Sequence, residues 1–181
     1  KKILLANGMG YVADTIFSEI HLVNTPHAWL GAICYALQIY MDFSSYSDMA
    51  IGLGKLFGFH FLENFNYPYL SLSIKEFWRR WHISLSSWFR DYVYIPLGGN
   101  RHGKMATYRN LMIVFILTGF WHGANWTFIL WGLFHGIFLI LERGRFGTLL
   151  DKLPGIIKRI YTLVVVLIGW VFFRCESLID A

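Results

Sequence analysis

The chain has 181 residues, of which 56% are hydrophobic and only 15% are charged. A soluble domain carries about 25% charged residues, so this composition argues against a soluble protein and favours a membrane protein. The net charge of +5 would suit nucleic-acid binding. The basic residues, however, mostly flank apolar segments, as in loops that face anionic lipid. We therefore expect membrane lipid and no nucleic acid as a partner.

Two aspartates interrupt an apolar segment in the first third of the chain. Asp42 and Asp48 are six residues apart, which is about 240° around a continuous helix, so they point in different directions. At least one should then face protein or a water-filled cavity. Two interpretations stay open: the carboxylates pair with an arginine or a backbone group, or they line a path for substrate.

Residues 73–94 form the clearest single element. Ser73 and Glu76 make a capping box, which predicts a helix that begins at Ile74. The apolar side chains that recur at helical spacing on one face are Ile74, Phe77, Trp78, Trp81, Leu85, Trp88 and Tyr92. Arginines lie on the opposite face, which is typical of a helix at the membrane interface. His82 lies at the edge of the apolar face and can point into a bundle.

Residues 111–121 and 126–141 are two apolar runs separated by His122-Gly123-Ala124-Asn125. The first run has 11 residues and reaches only about 16 Å as a helix, roughly half of a hydrocarbon core. Basic residues flank both ends, which places both ends in the cytoplasm. We predict a short or re-entrant helical hairpin with His122 at its apex, where a titratable group is a candidate for function.

Residues 156–173 form a last apolar segment that is long enough to span a membrane. Hydropathy as a whole predicts three or four membrane-crossing units. The predicted fold is therefore all-α: a multi-pass transmembrane helical bundle with an interfacial amphipathic helix and the short hairpin.

Histidines in apolar surroundings are the remaining candidates for chemistry. The sequence contains no HExxH, GxSxG, Walker or paired CxxC motif, and its seven histidines show no zinc-ligand spacing, so we expect no metal site. His82, His122 and His135 can act as general bases on a hydroxyl, and Asn125 can orient the ring of His122 or donate to an oxyanion. The residues alone leave open an enzyme, a transporter, or a polar residue satisfied at a helix break.

Six stretches of sequence point to a family. They are ALQIYMDFS at 36–44, YSDMAIG at 46–52, FWRRWHISLS at 77–86, RDYVYIPLGGNR at 90–101, GFWHGANWT at 119–127 and WGLFHG at 131–136. Together they resemble the membrane-bound O-acyltransferases, and most closely the bacterial branch that includes the alginate O-acetyltransferase membrane component. Members of that family begin with further transmembrane helices, so we expect residues 1–181 to be a C-terminal part of such a membrane domain.

The resemblance implies a many-helix bundle around a channel that joins a cytoplasmic and an external funnel. It implies that His122, in the Trp-His-Gly motif, is catalytic and that His82 is the second functional histidine. The other candidates, expected to line the cavity or to support these histidines, are Asn125, Asp42, Asp48, His135 and Trp121.

The implied reaction moves an acetyl group from a cytoplasmic donor such as acetyl-CoA to hydroxyls of an exported, alginate-like polysaccharide, without a bound cofactor. In one version His122 acts as general base on the acceptor hydroxyl; in another it helps to pass the acyl group to an extracytoplasmic acetyltransferase partner. The implied location is the bacterial inner membrane, as a multi-pass protein.

Two alternatives remain. The first is D-alanyl transfer to teichoic acid. The IPLGGNR stretch at 95–101 and the YSD motif at 46–48 favour the alginate-type branch over this alternative. The second is a non-catalytic scaffold or transporter that uses Asp42, Asp48 and His122 as a relay.

Overall fold

The structure is a computed structural model that describes residues 1–19 and 23–178. Within these ranges every regular element is helical, which confirms the predicted all-α class. The chain forms two compact units, one built on Lys1–Asn64 and one on the residues from Phe65 onward.

The first unit consists of a π-helical turn at Lys2–Ala6, helix α1 at Asn7–Ser18 and helix α2 at Thr25–Leu56. Asn24 caps α2 by accepting the backbone N–H of His27 at 3.1 Å, so the helix begins directly at this polar residue. α2 then continues without a break for 32 residues. Asp42 and Asp48 therefore lie on one continuous helix.

The second unit begins with a 3₁₀ turn at Pro68–Leu70, helix α3 at Ile74–Arg80, helix α4 at Ile83–Phe89 and a π-helical turn at Arg90–Tyr94. The predicted start at Ile74 is confirmed, because the Ser73 hydroxyl accepts the N–H of Glu76 at 3.0 Å. The predicted single helix over 73–94 is wrong, since the chain breaks at His82, which has a left-handed φ of +44°.

Burial of Trp81 explains this break. Its ring stacks on Phe77 at 5.6 Å and contacts Trp170 at 4.9 Å, and it is only 4% exposed. Tertiary burial of so large a ring outweighs the weak local preference for a continuous helix. The apolar face divides accordingly: Ile74 and Phe77 are buried within the unit, whereas Trp88 and Tyr92 are exposed.

Helix α5 at Gly103–His122 and helix α6 at Trp126–Arg143 pack side by side in opposite directions. α5 has 20 residues and is about 30 Å long, so the prediction of a short first helix is wrong. Its polar start is stabilised because the Asn110 amide donates to the carbonyls of Leu97 and Gly99 at 3.0 and 3.1 Å. Polar residues therefore extend the helix beyond its apolar run.

Helix α7 at Arg145–Leu150 leads into helix α8 at Gly155–Arg174, which confirms the predicted last apolar segment. Among the described residues, two helices are long and apolar enough to cross a membrane, α6 and α8. They contact each other and α3 through a core of aromatic rings. The largest fully buried side chains are Trp131, Trp170, Phe77, Ile74 and His135.

Candidate functional site

His122 is the last residue of α5, and its half-buried imidazole lies among aromatic rings from three helices. The indole of Trp131 on α6 is perpendicular to it, with centroids 5.2 Å apart and an interplanar angle of 89°. Phe173 on α8 contacts it at 5.0 Å. The ring therefore has apolar walls and stays partly accessible.

His82 lies near the end of α5, beside Trp121. Its ring faces Trp121, with centroids 6.4 Å apart, and its Nδ1 lies 3.4 Å from the Ser84 hydroxyl. A left-handed backbone is costly for a residue with a Cβ, and such conformations often occur at functional sites. The break between α3 and α4 thus positions this imidazole toward the end of α5.

Both imidazoles are held in the neutral form at pH 7. Neither lies in a candidate membrane-spanning helix. Burial lowers the pKa of His82 to about 4. Burial, and to a smaller extent the charge of His82, also lowers the pKa of His122 to about 4. A neutral imidazole can accept a proton, and each ring still carries one N–H donor.

His135 and Trp131 lie in the buried core next to the His122 site. His135 is 1% exposed and contacts Trp131 and Trp78 at 5.4 and 5.1 Å. Neither ring nitrogen of His135 has a hydrogen-bond partner among the residues that the structure describes. Trp131 lies between His122 and His135, so His135 contacts the wall of the site and not the His122 ring. The predicted supporting role of His135 remains a prediction.

Asn125 caps α6 in this structure. Its side-chain oxygen accepts the N–H of Thr127 at 3.2 Å, and its amide donates to the Glu176 carbonyl at 2.8 Å. Asn125 does not continue the helix of His122, because α5 ends at His122 and α6 begins at Trp126. Its predicted role toward the His122 ring or an oxyanion remains a prediction. Trp121, the other nearby candidate, is 58% exposed, and its ring contacts the rings of both His82 and His122.

Asp42 and Asp48 form ion pairs within the first unit. Lys2 contacts Asp42 at 2.7 Å, and Lys1 contacts Asp48 at 2.6 Å. The geometry fits the interpretation that these carboxylates pair with cations, with lysine in place of arginine. A role in a substrate path stays a prediction.

Sequence reasoning missed Glu142, which reaches from α6 to the start of α3. Its carboxylate accepts the backbone N–H groups of Ile74 and Lys75 at 2.7 and 3.0 Å and the Tyr161 hydroxyl at 3.2 Å. It thereby holds the helix that ends next to His82. Only its acidic character within an apolar run could have singled it out.

No group of three or more His, Cys, Asp or Glu side chains in the described ranges could hold a metal ion. The arrangement that remains is a pair of neutral histidines at the end of a helix, with apolar walls. Such a site is suited to proton transfer at a hydroxyl.

Comparison with known proteins identifies the family of the chain. The model of the membrane-bound O-acyltransferase family matches residues 1–177. The chain belongs to this family. His122 and His82 both lie inside the matched range, as do both apolar helices.

Relatives within the family carry several names. The probable alginate O-acetylase AlgI of Azotobacter vinelandii is 52% identical over 98% of this chain and 36% of its own length. The peptidoglycan O-acetyltransferase of Helicobacter pylori is 44% identical over 100% of the chain and 35% of its own length. The teichoic acid D-alanyltransferase of Streptococcus thermophilus is 38% identical over 60% of the chain and 28% of its own length. The chain spans about a third of the length of the first two relatives.

Proposed function

We propose that the full-length protein is a membrane O-acyltransferase that transfers acetyl groups to hydroxyls of an exported polysaccharide, with His122 at the reaction centre. The observation that carries this proposal is the neutral, half-buried His122 imidazole beside His82, in a chain of the membrane-bound O-acyltransferase family.

The chemistry is a general-base acyl transfer. His122 accepts the proton of the acceptor hydroxyl, and the hydroxyl oxygen attacks the carbonyl carbon of an acyl thioester. A C–O bond forms and the C–S bond breaks. The sulfur then receives the proton from His122, so the products are an ester and a free thiol. We assign the N–H of His82 to the charge that develops on the carbonyl oxygen.

The low pKa of His122 has two opposite effects. It leaves the imidazole unprotonated at neutral pH, so the base is ready to act. It also makes this imidazole a weaker base than a free one. The water-poor aromatic walls offset part of that loss, because electrostatic interactions with the developing charge are stronger in a low dielectric.

We assign the donor to a cytoplasmic acyl thioester such as acetyl-CoA and expect no bound cofactor. The acceptor hydroxyl belongs either to the polymer or to an extracytoplasmic acetyltransferase partner that then acetylates the polymer. We place the protein in the bacterial inner membrane as a multi-pass protein. The basic residues at the opposite end of the α5–α6 pair from His122 support a cytoplasmic location for that end.

The names of the relatives favour acetyl over D-alanyl transfer. The alginate and peptidoglycan enzymes match nearly all of this chain, whereas the teichoic acid enzyme matches 60% of it at lower identity. An alginate-like polysaccharide is therefore the proposed acceptor. D-alanyl transfer and a non-catalytic scaffold or transporter remain the alternatives.

The test replaces His122 in the full-length protein, in a strain that lacks its own copy. We expect His122→Ala and His122→Gln to abolish base-labile acetyl ester on the secreted polysaccharide at an unchanged membrane level of the protein. His60→Ala is the matched control, because His60 is exposed and outside the helices. Retained ester in both His122 variants would contradict the catalytic assignment and favour the scaffold or transporter.

A further inference from the structure

A cavity of about 570 Å³ lies at the end of the α5–α6 pair that is opposite His122. Its walls come from the start of α3, the start of α5, the end of α6 and helix α7. The charged side chains that line it are Lys75, Lys104, Arg143, Glu142 and Asp151. The two histidines assigned to acyl transfer, His122 and His82, do not line this cavity.

Three cations, Lys75, Lys104 and Arg143, and two carboxylates, Glu142 and Asp151, line the cavity. The Glu142 carboxylate already accepts two backbone N–H groups and the Tyr161 hydroxyl. Asp151 is the remaining acid. Within the described part of the chain, neither Lys75 nor Lys104 forms an ion pair, although the charge of Lys75 also acts on Glu142. The cavity therefore favours an anion.

Arg143 has the geometry of a second anion contact. Its guanidinium donates one hydrogen bond, from Nη1 to the Asn100 side-chain oxygen at 3.1 Å. A guanidinium carries five N–H donors, so others remain for an oxyanion. Such a planar donor group recognises phosphate well.

The cavity also has an apolar side and lies at the level where the apolar helices end. Arg143 is the last residue of α6, and α8 begins at Gly155. Leu139 and Leu150 line the wall. Phe146 and Leu149 of α7, beside the cavity, are exposed, as expected for a helix that lies in the interface. A free phosphate ion has no apolar part that could bind to these surfaces.

From these features, we propose that the cavity binds the phosphodiester headgroup of an acidic phospholipid, with Lys75, Lys104 and Arg143 on the phosphate and the acyl chains along Leu139 and α7. Basic pockets between membrane helices bind such headgroups. The site is independent of the acyl transfer proposed above.

The test uses the full-length protein in detergent, titrated with phosphatidylglycerol or phosphatidylcholine, and measures bound lipid by native mass spectrometry. We expect wild type to prefer phosphatidylglycerol. Lys104→Gln should weaken this binding about fivefold, as expected for one lost charge near a headgroup. Lys104→Arg should retain it. Lys152→Gln is the control, because Lys152 lies at the same end of the unit and does not line the cavity.

Two results would overturn the proposal. Equal binding in Lys104→Gln and Lys152→Gln would mean that lipid responds only to general surface charge. Displacement of the lipid by inorganic phosphate, but not by chloride of equal ionic strength, would mean a site for soluble phosphate esters. Lys75→Gln provides an independent variant: Lys75 is exposed, and its replacement should weaken phosphatidylglycerol binding to a similar extent without affecting folding.

Discussion

The indole of Trp131 stands perpendicular to the imidazole of His122, with ring centroids 5.2 Å apart. Trp131 is 1% exposed and is also stacked parallel to Trp170 at 6.2 Å. A side chain that is held on both sides cannot easily move away from His122. We therefore interpret Trp131 as the residue that fixes the orientation of the imidazole.

Replacing Trp131 should impair catalysis more than substrate binding. Trp131→Phe keeps an aromatic ring but removes part of the wall, so the His122 ring gains freedom. We expect kcat for acyl transfer to fall by about tenfold with little change in KM, because small misplacements of a reacting group are costly. Trp88→Phe is the control, since Trp88 is 51% exposed. Equal kcat in both variants would argue against a positioning role.

The rate of acyl transfer should stay unchanged in mildly acidic solution. Because the pKa of His82 and the pKa of His122 are about 4, both rings stay neutral until the pH approaches that value. We expect a flat rate from pH 7 to about 5 and a loss of rate as the pH falls through about 4. A free imidazole would lose half of its base form near pH 6.5. The measurement is the pH dependence of kcat in nanodiscs.

The free energy of unfolding should depend on pH over a different range from the rate of acyl transfer. The unfolded histidines titrate near 6.5, so between about pH 6.5 and 4 the unfolded state binds more protons than the folded state. The free energy of unfolding then decreases as the pH falls through this window. Thermal unfolding in detergent at pH 7 and pH 5 tests this. An unchanged melting temperature together with an activity midpoint near 6.5 would show that the two rings are not buried as described.

Local patterns predicted those parts of the fold that local interactions determine. The capping box of Ser73 and Glu76 predicted the start of α3, and an apolar segment with few polar interruptions predicted α8. The break at His82 depends on the contact of Trp81 with Trp170, which are far apart in sequence, so no local pattern indicates it. The same holds for the site: His122 stands out as a polar residue between apolar runs, but its contact with Phe173 requires the folded structure.

The close packing of α5 and α6 depends on glycines. A Cβ at Gly132 would collide with the carbonyl oxygen of Phe115, and one at Gly119 would collide with the carbonyl oxygen of Phe128. Both obstacles are backbone atoms, which cannot rotate away. We expect Gly132→Ala to force the helices apart and to lower the free energy of unfolding by about 1–3 kcal/mol.

The same substitution should also reduce acyl transfer, because His122 on α5 would shift relative to Trp131 on α6. Gly155→Ala is the matched control, since nothing lies within 4 Å of a Cβ at that position. Thermal unfolding and ester formation are measured on both variants. A Gly132→Ala protein with unchanged stability would mean that the helices are farther apart than described.

Glu142 supports His82 from a distance, through α3. Glu142→Gln keeps the shape of the side chain, but an amide presents only one oxygen to the N–H groups of Ile74 and Lys75. Hydrogen bonds to a charged acceptor are worth about 1.5–3 kcal/mol, so we expect the free energy of unfolding to fall by roughly 2 kcal/mol. Acyl transfer should fall as well, because α3 ends next to His82.

Tyr161→Phe separates this effect from general disturbance around the carboxylate. It removes only the hydroxyl that donates to Glu142 at 3.2 Å and leaves both backbone hydrogen bonds intact. We expect a loss of stability of about 1 kcal/mol or less and normal acyl transfer. Thermal unfolding and ester formation are measured on both variants. If Tyr161→Phe were as damaging as Glu142→Gln, the two backbone hydrogen bonds to α3 would not explain the effect of Glu142, and its proposed role would be contradicted.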